Sequence, residues 1–125
     1  MHAEDPVHLL KLVLAGGAAA NRRALLDAHG APADCRAAGP GAWRAAGLSE
    51  LQMQRLRRPA TDELGRALAW LEHPGHHLLG WNDPDYPPLL RRISSPPFAL
   101  FVDGDPTLLW HPGVAVVGSR SPTSG

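Results

Sequence analysis

The apolar residues of the first 73 positions recur at helical spacing. Between Val7 and His29 they fall on one side of two short amphipathic helices, separated at Gly16-Gly17. Asn21 is a residue type that favours the start of the second helix, and Gly30, with Pro32 two positions later, is a typical helix end. The pattern therefore predicts a helical hairpin at the start of the chain.

Two more helices follow a looser stretch, Ala31 to Gly41. Ser49 with Gln52 has the spacing of a capping box and predicts a helix from Glu50 to Arg58. Thr61 or Asp62 begins another helix, which runs to about Glu72. We therefore predict an all-helical domain over residues 1–73.

After Gly75 the pattern changes to short apolar runs bounded by turn residues. Three of these runs predict strands: His76 to Trp81, Phe98 to Val102 and Val114 to Val117. Between the first two, Tyr86 to Ile93 predicts a helix that buries Leu89, Leu90 and Ile93. Alternating strands and helices are typical of an α/β domain with a largely parallel sheet.

Residues 76–125 are too few for a complete doubly wound domain, which needs several β-α units and usually more than about 100 residues. The sequence ends where a helix should follow the Val114 to Val117 strand. We therefore expect this part to be the truncated start of a Rossmann-type domain, in a fragment of a longer protein.

Composition limits the classes of function. The chain has 12 basic and 12 acidic residues, so any binding of nucleic acid must depend on a local surface. Cys35 is the single cysteine and cannot form an intrachain disulfide, which fits a reducing compartment. Polar residues and glycines interrupt the N-terminal apolar run, so we predict no signal peptide, no membrane span and a cytoplasmic protein.

The strongest candidate site follows the third predicted strand. Gly118 allows close approach of the backbone to an anion, Ser119 and Thr123 offer hydroxyl donors, and Arg120 offers a forked cation for a phosphodiester. Phosphate-binding turns in α/β sheets lie at this position. The sequence therefore predicts a phosphate or DNA contact here, although the three-residue pattern alone also fits an ordinary turn with a solvated arginine.

Other chemistry-bearing residues favour structural interpretations. No catalytic residue, metal site or cofactor is predicted, because the histidines near Gly75 lack partners at ligand spacing and are expected to lie in a solvated linker. Asp83 and Asp85 fit a turn and helix cap better than acid-base catalysis. The four tryptophans are expected to pack, and the arginines at 55, 57 and 58 to lie on a solvated helix face.

A wider set of positions, from Asp83 to Gly125, resembles the DprA/Smf family of DNA-processing proteins. The resemblance rests on residues in the family's order and approximate spacing, namely Asp83-Pro-Asp-Tyr-Pro87, Leu90, Ile93, Pro96-Pro97, Leu100-Phe101, Gly104, Val114-Ala-Val-Val-Gly-Ser-Arg120 and Thr123. It implies an extended Rossmann domain that binds and protects single-stranded DNA and helps to load RecA recombinase during natural transformation, without enzymatic activity. The family's DNA-contacting residues fall on Gly118, Ser119 and Arg120.

The sequence departs from the family pattern at three positions. Ser95 stands where aspartate is frequent, and Asp103 replaces a common basic residue and so lowers the local positive potential. Gly125 stands where an aromatic residue often precedes glycine, which removes a ring that could stack on a base.

The helical leader resembles the family's helix-hairpin-helix or SAM-like domain. Its candidate DNA-binding hairpins, Leu14 to Gly17 and Ala46 to Leu48, depart from the usual spacing of two glycines separated by one residue. Packing or protein interaction is therefore the favoured role of this domain, and direct contact of its backbone with DNA phosphates is the alternative.

Two further hypotheses stay open. An enzyme of the lysine-decarboxylase-like or LOG group also carries a Gly-Ser-Arg-like turn after an early strand, and hydrolyses nucleotide N-glycosidic bonds. Its members usually begin close to that strand, whereas here a helical segment precedes it. The helical domain could alternatively be a protein-docking module, and homodimerisation of the full-length protein is left open by the sequence.

Overall fold

The computed structural model describes residues 6–104. Five helices precede a two-stranded sheet, and a short 3-10 turn lies between the strands. In chain order the elements are α1 (Val7–Leu14), α2 (Ala19–His29), α3 (Pro32–Ala46), α4 (Glu50–Arg57), α5 (Thr61–Leu71), β1 (His76–Gly80), the 3-10 turn (Leu90–Arg92) and β2 (Ala99–Asp103). The prediction of an α/β protein is thus confirmed in its coarse form, as a mixed structure with a small sheet.

The break between α1 and α2 lies where the sequence predicted it. Gly16 and Gly17 both have positive φ, of 65° and 71°, a conformation that glycine adopts at little cost. Gly30, with φ of 86°, ends α2 as expected. The predicted cap was wrong: α2 begins one turn earlier, after Ala18, and Asn21 lies inside the helix.

The predicted loose stretch over Ala31 to Gly41 was also wrong, because α3 occupies most of it. Pro32 stands in the first turn, where its missing N–H costs nothing. Gly39, with φ of 87°, and Pro40 then kink the helix. The indole N–H of Trp43 donates to the Cys35 carbonyl at 2.8 Å, which ties the two sides of the kink together in the core.

The next two helices were predicted correctly to within a residue or two. Ser49 and Gln52 form both hydrogen bonds of the capping box at the start of α4. Helix α5 begins at Thr61 and ends at Leu71, with Ala60 as its N-cap residue and no side-chain cap. Hydrophobic side chains of α5 are partly buried against the core, as expected for an amphipathic helix on the outside of a small bundle.

The two described strands pair antiparallel, with His76 opposite Asp103 and Gly80 opposite Ala99. The prediction of a largely parallel sheet is wrong for this pair. A parallel pair needs a crossover of a dozen or more residues, usually a helix, whereas the segment between these strands contains only a 3-10 turn. The third predicted strand, Val114 to Val117, lies outside the described residues.

The helix predicted from Tyr86 to Ile93 is not formed. Because Pro88 disfavours helical backbone at the residue before it, regular structure is confined to the single turn Leu90–Arg92. Leu89 is 73% exposed and Ile93 48% exposed, so neither supplies the predicted buried face. Tyr86 is buried in their place.

Residues of β2 are buried on both faces of the sheet. On one face, Ala99 and Phe101 join the core formed by the helices, together with the preceding Phe98. On the other face, Leu100 and Val102 pack with Leu79 and Tyr86 in a second cluster, whose members are Leu79, Tyr86, Leu100 and Val102. Because both faces of β2 are buried, apolar residues occupy consecutive positions of the strand instead of alternating with polar ones.

The helices and the sheet therefore share one hydrophobic core across the segment boundary predicted near residue 75. Division into domains 1–73 and 76–125 stays a prediction, as do the helix-hairpin-helix or SAM-like character of the first and the Rossmann character of the second.

Candidate nucleic-acid interface

The predicted phosphate-binding turn lies outside the described residues. Gly118, Ser119, Arg120 and Thr123 all fall beyond residue 104, where the description of the chain ends. The described residues instead reveal three groups built around arginine side chains. The first contains Arg23 and Arg91, the second centres on Arg22, and the third lies on α4.

The first group combines two arginines with two aromatic rings. The guanidinium carbon of Arg91 lies 5.0 Å from the ring centre of Trp81 and 4.9 Å from that of Tyr86. Arg23, from α2, lies 5.4 Å from the same Trp81 ring. At these distances a guanidinium is attracted by the electron-rich face of a ring. The contacts connect α2 to the segment between the strands.

Hydrogen bonds fix this group. The Tyr86 hydroxyl donates to the Pro97 carbonyl at 2.8 Å, and the Trp81 indole N–H donates to an Asp27 carboxylate oxygen at 2.9 Å. Arg23 donates to the Pro96 carbonyl, and Arg91 donates to the Asp83 carbonyl at 3.1 Å. Burial raises the pKa of Tyr86 to about 12, so its hydroxyl stays protonated and donates at neutral pH.

Asp83 serves as a turn residue, as the sequence predicted. Its side-chain Oδ1 accepts a hydrogen bond from the Asp85 backbone N–H at 2.9 Å, the geometry of an Asx turn. The helix that this turn was expected to cap does not form, so only the turn part of the prediction is confirmed.

The second group centres on Arg22, which is 9% exposed. Its Nη1 donates to the Leu12 and Val13 carbonyls, each at 3.2 Å, and its Nη2 donates to the Gly17 carbonyl at 3.1 Å. Leu12 and Val13 lie in the last turn of α1 and Gly17 lies in the turn that follows, so the guanidinium adds hydrogen bonds to carbonyl groups at the negative end of the helix dipole. Arg22 thus holds the α1–α2 hairpin closed.

The charge of Arg22 persists despite its burial. Desolvation, with a smaller contribution from the neighbouring Arg23, lowers the pKa of Arg22 to about 10, which still leaves the group charged at neutral pH. The side chain lines a cleft of about 260 Å³ between the α1–α2 hairpin and residues 95–99. Its guanidinium lies 5.1 Å from the centre of the Phe98 ring on that opposite wall.

The two hairpins singled out in the sequence lie against each other. The Gln52 side-chain amide donates to the Gly16 carbonyl at 2.8 Å, and the Asn21 amide donates to the Gly47 carbonyl at 2.9 Å. Asn21 and Gln52 also bond to each other, at 2.9 Å from Asn21 Nδ2 to Gln52 Oε1. Side-chain hydrogen bonds of Asn21 and Gln52 therefore join the two hairpins to each other.

The third group lies on the outside of α4. Arg57 and Arg58 are exposed and Arg55 is half-buried, so the predicted solvated helix face is confirmed for the first two. With Gln54 they line an open groove of about 500 Å³.

The expectation of a solvated histidine linker was wrong for His76. This residue is the first of β1, stacks on the Trp70 ring with centres 3.9 Å apart, and has a ring nitrogen 2.6 Å from the Trp70 carbonyl oxygen. Its other ring nitrogen lies 3.6 Å from an Asp103 carboxylate oxygen. Within residues 6–104, histidine, cysteine and carboxylate side chains do not gather in a group of three that could hold a metal ion.

The tryptophans that can be described pack as predicted. Trp43 is 4% exposed in the core of the helices, and Trp70 and Trp81 pack partly buried against that core. Trp110 lies outside the described residues. Across residues 6–104, no helix combines the length and apolar character that crossing a bilayer requires.

Sequence reasoning missed the roles of Arg22, Arg23 and Gln52. Arg23 and Gln52 contact residues that lie far away along the chain. The carbonyl groups to which the Nη atoms of Arg22 donate lie 5 to 10 positions before it, at separations that no local spacing rule identifies. The sequence offered one signal, the position of Gln52 in the capping box. That position accounts for the hydrogen bond that the Gln52 amide oxygen accepts, but not for the bond that its amide nitrogen donates to Gly16.

Comparisons with known proteins point to DNA processing. The family described as DNA recombination-mediator protein A matches residues 77–125. Protein Smf of Escherichia coli (strain K12) is 40% identical over 75 residues, which are 60% of this chain and 20% of Smf. The chain therefore spans about a fifth of the length of that curated relative. No solved structure matches the chain significantly.

Proposed function

Because the chain belongs to the DprA/Smf family of DNA-processing proteins, we propose that the protein binds single-stranded DNA in the cytoplasm, protects it, and helps to load RecA recombinase onto it. Its role is that of a binding protein rather than an enzyme. The observation that carries the proposal is the family match, which extends through residues 77–125 and so includes the whole predicted phosphate-binding turn.

The proposed contact is made by Gly118, Ser119 and Arg120, with Thr123 beside them. Arg120 supplies a guanidinium fork for a phosphodiester, and the two hydroxyl groups donate to phosphate oxygens. Gly118 has no Cβ, so the DNA backbone can approach the main chain closely. Contacts to phosphates carry no sequence information, so we expect little preference for base sequence.

Overall charge supports a local rather than a general attraction. Since the chain has 12 basic and 12 acidic residues, DNA must be attracted by specific groups and not by the net charge. Affinity falls as salt rises, because binding releases condensed counterions. Each phosphate that a cation neutralises on a single strand makes the slope of log affinity against log salt more negative by about 0.7.

The test is Arg120→Ala, with Arg66→Ala as the control because Arg66 lies exposed on α5. Fluorescence anisotropy of a labelled oligothymidylate, measured over a series of salt concentrations, gives affinity and salt slope. We expect Arg120→Ala to bind several-fold more weakly and to lower the magnitude of the slope by about 0.7. An unchanged affinity and slope, equal to those of Arg66→Ala, would overturn the proposed contact.

RecA loading is tested separately, by whether the protein accelerates RecA filament formation on single strands that are already covered by a single-strand-binding protein. We expect acceleration by the unmodified protein and less by Arg120→Ala. No acceleration by the unmodified protein, at concentrations where it binds the oligonucleotide, would remove RecA loading from the proposal and leave DNA binding in place.

A further inference from the structure

The arginines of α4 form a positively charged surface that the predicted phosphate-binding turn does not include. We define the α4 arginine surface as Arg55, Arg57 and Arg58, which with Gln54 line the open groove of about 500 Å³. All of these residues come from the last four positions of α4 and its C-cap residue. Three cations are therefore confined to one turn of helix.

Within residues 6–104, no acidic side chain forms an ion pair with these arginines. Arg44 pairs with Glu50 at 3.8 Å, and His76 pairs with Asp103. Glu50 is the only acidic residue of α4 and stands at the opposite end of the helix. The negative end of a helix dipole amounts to about half a charge, so it offsets only a small part of three full positive charges.

The surface adjoins the Gly16-Gly17 turn. Nη1 of Arg55 lies 3.1 Å from the point that a Cβ on Gly16 would occupy, so any larger residue there would press against the guanidinium. Next to this turn, α2 begins at Ala19, and its N-cap residue Ala18 forms no side-chain cap.

The lining of the groove indicates the kind of anion that it would bind. Pockets for small molecules are mostly apolar and enclosed, whereas this groove is open and lined by three arginines and a glutamine. Such a surface fits a polyanion that passes across it and offers several phosphates to several guanidinium groups.

We infer that the α4 arginine surface binds the phosphodiester backbone of DNA and is a second contact, separate from residues 118–120. The inference rests on the proposed function, since it assigns a further surface for the same ligand. A strand that reached both surfaces would be held at two points by one protein chain.

The experiment replaces the three arginines together, as Arg55→Gln, Arg57→Gln and Arg58→Gln. The control removes three positive charges from other exposed positions, by Arg44→Gln, Arg66→Gln and Arg92→Gln. Both variants have the same net charge, so a difference between them reports position and not total charge. A labelled oligothymidylate is the DNA probe, and labelled polyglutamate is the probe for an acidic protein partner.

We expect the α4 variant to bind the oligothymidylate about tenfold more weakly and to lower the magnitude of the salt slope by about 2, since three phosphate contacts are lost. The control variant should change affinity less than about twofold. Because Arg55 is half-buried, a second variant with only Arg57→Gln and Arg58→Gln keeps the test independent of folding, and its slope should fall by about 1.4.

Two results would overturn the inference. If the α4 variants bind DNA like the control, the surface is not a DNA contact, and the proposed function still stands provided that Arg120→Ala weakens binding. If the α4 variants lose polyglutamate but keep the oligonucleotide, the surface serves an acidic protein instead. Failure of the unmodified protein to bind the oligonucleotide would overturn the proposed function itself.

Discussion

Replacing Gln52 with methionine should destabilise the chain more than any comparable change on the outside of α4. Gln52 is 2% exposed, and its amide group connects α4 to both hairpins. Methionine has nearly the same volume but cannot form these hydrogen bonds. Gln52→Met therefore leaves the Gly16 carbonyl without its partner at 2.8 Å and the Ser49 backbone N–H without its partner, also at 2.8 Å.

The size of the effect follows from the burial of those groups. An unpaired buried polar group costs about 1–3 kcal/mol, and the partly buried Ser49 N–H adds roughly 0.5–1 kcal/mol because water can reach it in part. The sum is about 1.5–4 kcal/mol, which corresponds to a Tm lower by roughly 10 °C for a chain of this size. Gln54→Met, on the exposed side of the same helix, should cost less than about 0.5 kcal/mol.

Urea unfolding followed by tryptophan fluorescence and by far-ultraviolet circular dichroism measures both free energies of unfolding. Hydrogen exchange at the Ser49 N–H provides a local measurement, because exchange should accelerate when its acceptor is removed. If the two methionine variants differ by less than about 0.5 kcal/mol, the Gln52 hydrogen bonds do not hold the hairpins together, and the description of this network is wrong.

Three further predictions use single residues. Cys35 is the only cysteine, and burial, aided by the charge of Asp34, raises its pKa to about 11. A thiol reagent at mildly alkaline pH should therefore label the native chain far more slowly than the denatured chain. Equal labelling rates would contradict the burial of Cys35. Tyr86 is the only tyrosine, and its pKa is raised to about 12. Its neutral hydroxyl therefore stabilises the folded chain fully at pH values below the unfolded pKa of about 10, and this stabilisation is lost as the pH rises through 12. Ultraviolet absorbance should show its ionisation near 12 in the native chain and near 10 in denaturant, and a native midpoint near 10 would refute this. Leu89→Ser should change the free energy of unfolding by less than about 0.5 kcal/mol because Leu89 is 73% exposed, whereas a loss above about 1.5 kcal/mol in urea unfolding would support the buried helix face that the sequence predicted.

Features with a local cause were predictable from the sequence. The capping box of Ser49 and Gln52, the glycines that separate α1 from α2, and the apolar runs of β1 and β2 each depend on neighbouring residues. The backbone conformation at these positions is set within a few residues, so a local pattern suffices.

Features decided by tertiary packing were not predictable in this way. The sequence predicted a loose stretch from Ala31 to Gly41, yet α3 continues through a kink because Cys35 and Trp43 on either side are both held in the core. Apolar spacing predicted a helix that buries Leu89, but Pro88 confines the helix to one turn, and Tyr86 packs with the sheet instead. In α3, burial outweighed the local propensity of the chain.

The candidate surfaces show the same division. The turn at residues 118–120 was identified from its position after a predicted strand and from the family resemblance, both of which are sequence patterns. The contact of Arg23 with Trp81 depends on folding, because it joins two residues that are distant along the chain. The α4 arginines are adjacent in the sequence, but only the structure reveals that no acidic side chain within residues 6–104 pairs with them.

The most direct test of DNA handling is an equilibrium titration of the unmodified protein with a labelled single strand and with a duplex of the same sequence, over a series of salt concentrations. We predict tighter binding to the single strand, with log affinity falling linearly as log salt rises, because phosphate contacts release counterions. Binding that is absent, that is insensitive to salt, or that is tighter for the duplex would contradict the proposed function.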